Sequence, residues 1–188
     1  MRTQKHIVLD GHDGAGKTTL AMLVAREINA KYVKPFADTL GDLIAWSFRR
    51  KQFDLTNTIA LAAIEKIIDE NSDEEVLVFD RHWLSMFTVL PKEYHEQWKP
   101  LPFTVLCWAD EETTRRRLAE KGEKESLGNT RYYCELYKEL AREYGVPVID
   151  TTKSCIDTDV RRMCSLIRGK RDLGSDGRHA EGQWGVER

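Results

Sequence analysis

The chain has little cysteine, and none of it is arranged for metal. Cys107, Cys134, Cys155 and Cys164 are the only four, no two form a C-x-x-C pair, and no histidine pair has zinc-ligand spacing. A zinc-finger type of fold is excluded, and free thiols in a reducing compartment are expected, with Cys107 buried inside an apolar run. Long hydrophobic runs are missing too. No apolar stretch approaches the roughly 18 residues that span a bilayer. The N-terminus runs directly into Ile7-Val8-Leu9, without the architecture of a signal peptide. A cytoplasmic protein with no membrane partner is the expectation. A surplus of positive charge is absent as well: the formal net charge is −2. Proteins that grip many nucleic-acid phosphates are usually basic, so the balance leans against duplex binding while leaving room for a local basic pocket. Internal repeats are not seen.

What is present is an alternation of short apolar runs with helical periods. The 188 residues suit one domain with a proper core. Residues 6–10 (HIVLD), 31–34, 76–80 (VLVFD), 103–109 (FTVLCWA) and 146–150 (VPVID) read as strands. Helical spacing is expected over 17–28, 39–48, 56–71, 110–120, 132–144 and 157–167. Residues 110–120 have acids in the first turn and arginines later, as the helix dipole prefers. Buried strands separated by helices predict an α/β, three-layer P-loop fold, with a five-stranded parallel sheet flanked by helices. The domain is expected over 1–168, with a short lid near 118–130. The polar, glycine-containing remainder, 169–188, reads as a flexible tail.

Gly11-His12-Asp13-Gly14-Ala15-Gly16-Lys17-Thr18 fits G-x-x-x-x-G-K-[ST], and it follows a strand and opens a helix as that motif requires. Glycines let successive backbone N–H groups turn inward onto phosphate oxygens, and the helix adds its positive end. Lys17 brings a charge to the β and γ phosphates of ATP, and the Thr18 hydroxyl reaches Mg2+. Asp80, at the end of a buried strand, is placed to hold the same metal, and Arg81 beside it can fork two phosphate oxygens. Arg115, Arg116 and Arg117 follow the fourth strand. Arg117 and Lys121 share a helix face and point to the lid, whereas Arg115 and Arg116 read as a solvated basic face. A GTPase-type switch is excluded because no N-K-x-D segment exists.

These residues resemble a known family. Residues 9–19 (LDGHDGAGKTT) resemble the phosphate loop of thymidylate kinases. Asp80-Arg81-His82-Trp83-Leu84-Ser85 resembles that family's D-R-[YH]-x-x-S element. Residues 109–112 with Arg117 and 121–122 resemble its approach to the lid, and 132–150 its closing helix and strand. The resemblance covers about 5–168. It implies transfer of phosphoryl from ATP to a deoxynucleoside monophosphate, with Asp13 near the acceptor, Arg81 on the transferring phosphates and Arg117 on the donor. Gly11 to Thr19 would form the donor cradle with Lys121 nearby. Relatives of this kind often pair through helices as homodimers.

The acceptor side departs from the family. Val33-Lys34-Pro35 stands where the family has Arg-Glu-Pro. Lys34 argues against a simple nucleoside kinase and could hold an acceptor phosphate. The family's Phe-x-x-Asp-Arg helix is replaced near 61–66, where Lys66 could partly substitute. Phe36, Trp83 and Phe87 are the aromatic candidates for stacking a base. Two other readings stand beside the leading one. One is a related kinase acting on a nucleoside, a modified pyrimidine or DNA; the other is a nucleotide-binding regulator without useful turnover.

Overall fold

The computed structural model describes residues 4–122 and 129–174, with side chains to residue 169. Five strands form one parallel sheet: β1 (Lys5–Asp10), β2 (Lys31–Val33), β3 (Val76–Asp80), β4 (Phe103–Trp108) and β5 (Val148–Asp150), in the order β2-β3-β1-β4-β5. Because side chains alternate along a strand, the apolar runs feed two cores. Val8, Leu77, Phe79 and Leu106 face one way, while Ile7, Leu9, Val78, Val105 and Cys107 face the other. Helices cover both faces, which is why these strands read as continuous apolar runs rather than as alternation.

On the second face lie α1 (Lys17–Glu27), through Leu20, Ala21 and Val24, and α7 (Ile156–Gly174), through Met163 and Ile167. The first face is covered by α2 (Asp38–Arg49), α3 (Phe53–Glu70), α4 (Trp83–Phe87) and α6 (Thr130–Glu143). α5 (Glu111–Glu120) follows β4, with Asp110 capping it by accepting from the Thr113 N–H at 2.7 Å. The expected three-layer architecture is therefore the one observed.

Three features differ from the sequence expectation. β5 is shorter at its start, because Val146 turns back to donate to the Ala141 carbonyl at 2.7 Å, leaving Val148 to open the strand. Between β3 and β4, where periodicity assigns no element, α4 is followed by a 3-10 helix over Lys92–Trp98. Long-range bonds hold that stretch: Trp83 Nε1 donates to Thr104 Oγ1 at 2.7 Å, and Trp98 Nε1 to Asn57 Oδ1 at 2.8 Å. Finally, α7 continues through the expected boundary at Arg168 to Gly174. Residues 175–188 of the expected tail, and 123–128 of the expected lid, lie outside the described residues. Among the described residues no helix is long and apolar enough to cross a membrane.

Among the described residues three imidazoles are buried, and two of them, His82 and His12, make the fold acid-sensitive. His82 sits edge-on between the rings of Phe79 and Trp98, its Nδ1 without a partner, and burial pulls its pKa down to about 3. His12 is pulled down to about 4, again chiefly by burial. Both are neutral in the fold, whereas the unfolded chain protonates them near 6.5. Their contribution is thus complete above about pH 6.5 and is lost as pH falls from there toward 3–4. Unfolding free energies from urea melts at pH 7 and pH 5 are expected to differ by on the order of 2 kcal/mol per histidine, with the midpoint lower at pH 5. Equal midpoints would show that these rings are not buried neutral.

Candidate active site

The site forms where the chain parts at the carboxyl edge of the sheet. α1, after β1, packs on one face, and α4, after β3, packs on the other. Since β1 and β3 are neighbours, their following loops diverge and leave a crevice, the usual ligand position in open α/β sheets.

The loop from Gly11 to Thr18 lines the β1 side. Gly11, at φ +149°, lies against β4: a Cβ there would stand 2.2 Å from the Cys107 carbonyl oxygen. Gly14, at φ +75°, is pressed against α5, where a Cβ would meet the Thr114 carbonyl at 3.0 Å. Lys17 opens α1 with its side chain buried. Its Nζ donates to the His12 carbonyl at 3.3 Å and lies 3.9 Å from Asp13. Burial, then the nearby Arg81 charge, pulls its pKa down to about 8.

His12 contributes backbone to the loop, but its ring turns inward. Nδ1 lies 2.9 Å from the Asp13 carbonyl, which can only accept, so Nδ1 carries the proton. Nε2 is then the acceptor, facing the Ala109 N–H at 3.4 Å and Cys134 Sγ at 3.6 Å. Thr19 is exposed on α1, and Ala15 is fully buried.

The β3 side carries Asp80 and Arg81. Asp80 Oδ2 accepts from Thr18 Oγ1 at 2.7 Å and from the Tyr32 hydroxyl at 3.0 Å. Its other oxygen, Oδ1, is buried without a partner. A buried carboxylate oxygen left unsatisfied is costly, and a hard cation or its bound water is a fitting partner. Among the described residues no three His, Cys, Asp or Glu side chains cluster to hold a metal. A magnesium ion here would therefore be shared by Thr18, Asp80 and the phosphates of a nucleotide.

Arg81 adopts φ +77° at the strand end. Its Nη1 donates to the Gly11 carbonyl at 3.1 Å, to Ser85 Oγ at 2.9 Å and to the Tyr137 hydroxyl at 3.2 Å, while Nη2 bonds Asp13. Asp10, fully buried, anchors this turn. Its carboxylate accepts from the backbone N–H groups of Gly11, His82 and Ser85 and from the Ser85 hydroxyl. Asp10, Tyr32 and Tyr137 have no place in the sequence expectation. Asp10 sits inside an apolar strand and the tyrosines inside other elements, so no spacing marks them.

Arg117 and its neighbours divide as expected in place but not in geometry. Arg117 lies on the last turn of α5, and its guanidinium is fixed: Nη1 donates to the Gly14 carbonyl at 3.2 Å and Thr151 Oγ1 at 3.0 Å, and Nη2 to the Thr151 carbonyl at 2.7 Å. Thr151, just past β5, also donates to the Ala15 carbonyl at 2.9 Å, so it braces the phosphate loop. Arg115 pairs with Glu111 at 2.9 Å and Arg116 with Glu120 at 3.4 Å, both exposed. Arg116→Ala is expected to leave turnover within about twofold of wild type, as befits an exposed i,i+4 pair. A large loss in a steady-state assay would mean that this arginine, not Arg117, reaches the nucleotide. Lys121 caps the C-terminus of α5 and is exposed.

Beside Asp13 and Arg81 opens a cleft of about 480 Å3 between α2, α4 and α6, within the roughly 300–1,000 Å3 usual for small-molecule sites. Phe36, Phe48, Met86 and Tyr133 give it an apolar wall, and Arg49 with Asp38 and Asp42 adds charge. Four of the five expected acceptor residues fall outside its lining. Trp83 is core: it is 1% exposed, its N–H is spent on Thr104, and its ring packs on Phe87 and Tyr144. Phe87 is likewise buried, stacked on His95 at 3.6 Å. Lys66 points to solvent on α3 and pairs with Glu70 at 3.7 Å. Lys34 is exposed just past β2. Of the five expected, only Phe36 lines the cleft, because α2 rather than α3 forms its wall.

A doubly covered parallel sheet with this loop, and a strand-end acid opposite its threonine, defines a P-loop nucleotide-binding domain of the kinase type. The sequence profile of the AAA domain family matches residues 7–150. A probable thymidylate kinase of Methanococcus maripaludis is 30% identical over 192 residues, covering 88% of this chain and 96% of the relative. One of Methanocaldococcus jannaschii is 29% identical over 167 residues, 80% of this chain and 89% of its own. The fold is similar to that of shikimate kinase from Acinetobacter baumannii, with a TM-score of 0.62 at 18% identity, covering 90% of this chain and 96% of that one. The chain belongs to the thymidylate kinase family of P-loop nucleoside monophosphate kinases.

Proposed function

We propose that the protein transfers the terminal phosphoryl group of ATP to the phosphate of a deoxynucleoside monophosphate held in the 480 Å3 cleft, releasing ADP and the diphosphate. One observation carries this reading: Asp13 and Arg81 belong both to the phosphate loop's mouth and to the cleft's lining. A donor phosphate chain in the loop and an acceptor in the cleft would meet at that pair.

The residues divide the work by position. Backbone N–H groups of the loop beyond Gly11, whose own N–H is spent on Asp10, would face the donor phosphates, and buried Lys17 would supply the charge nearest the β and γ groups. Thr18 and Asp80 would hold magnesium, which when bound neutralises charge on the donor phosphates. Arg117 and Thr151 brace the loop from the far side. Arg81 would touch the phosphoryl in flight, while Asp13 orients the acceptor. Little proton chemistry is required, since positioning and charge stabilisation dominate such transfers.

A second reading has its own observation. Apart from the Asp13–Arg81 pair, the charged groups lining the cleft are Asp38, Asp42 and Arg49. Two carboxylates to one guanidinium suit a neutral acceptor hydroxyl, as of a nucleoside, better than a doubly charged phosphate.

The test is ADP release from Mg-ATP against dTMP, dUMP, dCMP, dGMP, dAMP, the matching nucleosides and a DNA oligonucleotide. Fast turnover with a monophosphate supports the first reading. Turnover confined to nucleosides or to DNA would replace it with the second or with a nucleic-acid acceptor. ATP binding with no transfer to any of them would leave a nucleotide-binding regulator.

A further inference from the structure

Helix α6 reaches both halves of the site from one face. Cys134 Sγ contacts the His12 ring of the phosphate loop at 3.6 Å. Nearly one turn on, the Tyr137 hydroxyl meets Ser85 Oγ at 2.8 Å and Arg81 Nη1 at 3.2 Å. Tyr137 is buried, and burial pushes its hydroxyl's pKa up, so it stays protonated.

The direction of each proton is determined by the partners. Asp10, taking hydrogen bonds from three backbone N–H groups, is acceptor only, so the Ser85 hydroxyl spends its single proton on Asp10. Toward Tyr137, Ser85 can then only accept, and the Tyr137 O–H must donate to it. The lone pairs of the Tyr137 oxygen remain for Arg81, whose Nη1 can only donate. The chain runs one way: Arg81 to Tyr137, Tyr137 to Ser85, Ser85 to Asp10. One edge of the guanidinium, Nη1, is thereby held on fixed acceptors of the fold. Among the described residues, the other, Nη2, is held by Asp13, a loop carboxylate that lines the cleft.

We propose that Tyr137 is a positioning residue for phosphoryl transfer. Its hydroxyl fixes the Nη1 edge of Arg81, so that the Nη2 edge faces the place where donor and acceptor phosphates meet, and α6 is thereby coupled to that arginine. The inference rests on the reading of Arg81 as a phosphate-contacting group.

The experiment is a double-mutant cycle with Tyr137→Phe, which keeps the ring and removes one hydroxyl. In the wild-type background kcat is expected to fall about 10-fold, less than the 10²-fold that a 1 Å misplacement can cost, with KM for ATP within about twofold. In an Arg81→Ala background the same change is expected to have no further effect on kcat, because the group it positions is gone. A merely structural role would cost the same factor in both backgrounds, and that result, or an unchanged kcat in Tyr137→Phe, overturns the proposal. A second measurement needs no turnover: side-chain nitrogen NMR of Arg81. Distinct Nη signals are expected in the wild type and exchange-broadened ones in Tyr137→Phe; identical spectra overturn the proposal. Absence of any acceptor would instead count against the proposed function, leaving the NMR result to judge this one.

Discussion

Lys17→Ala is expected to lower kcat by at least about 10²-fold while the fold survives. The size follows from removing one preorganised charge contact in a water-poor site. Lys17 is only 7% exposed; its Nζ makes a 3.3 Å bond to the His12 carbonyl and approaches Asp13 at 3.9 Å. Burial, then the nearby Arg81 charge, pulls its pKa down to about 8, so the buried ammonium adds little to the stability of the fold. Its removal should therefore leave the thermal midpoint unchanged or raise it. The same shift sets a pH dependence. The cation is the form that binds phosphate, so wild-type kcat/KM for ATP is expected to decline as pH rises through about 8. Near-normal turnover of Lys17→Ala, with the protein folded, would sink the assignment of the phosphate loop as the donor site.

Arg81→Ala is expected to cost a similar factor in kcat, with a smaller change in KM for ATP, since Arg81 lies at the acceptor mouth rather than deep in the loop. The variant loses the bonds to Gly11, Ser85, Tyr137 and Asp13 together. The Asp10 anchor of the turn does not use the guanidinium and remains. Loss of function should thus exceed loss of stability, which parallel kinetics and urea melts would separate. Arg81→Lys should not restore the rate. A lysine is a point charge and cannot hold three acceptors on one edge while presenting a second edge to phosphate. Full activity in Arg81→Lys would show that only charge at this position matters.

How much was legible depended on how local the cause was. Gly11 to Thr18 are read in order because the loop binds through consecutive backbone groups, so spacing is the chemistry. Asp80 and Arg81 were legible because a buried strand must end and its next residues emerge at the sheet's carboxyl edge. The acceptor side was not. Lys66 and Trp83 looked like pocket residues by likeness of pattern, but Lys66 faces solvent and the Trp83 N–H is bonded to Thr104. Which helix walls a cleft depends on how helices pack, and that is set by contacts far apart in sequence. Arg117 shows the intermediate case. Its place on the helix was foreseeable, whereas its grip on Thr151, 34 residues away, was not.

The sequence by itself determined the succession of strands and helices and the G-x-x-x-x-G-K-T loop at a strand–helix junction, because apolar runs, helical period and that spacing are all short-range. Only the tertiary structure decided the rest. The pairing of β1 with β3 brings Thr18 to Asp80 and leaves the other Asp80 carboxylate oxygen buried without a partner. The packing of α6 delivers Tyr137 to Arg81, and the packing of α2 makes Phe36 and Arg49, not Trp83 or Lys66, the walls of the cleft. The physical reason is that a hydrogen bond or a cleft needs groups within a few ångströms, and folding, not sequence order, sets those distances.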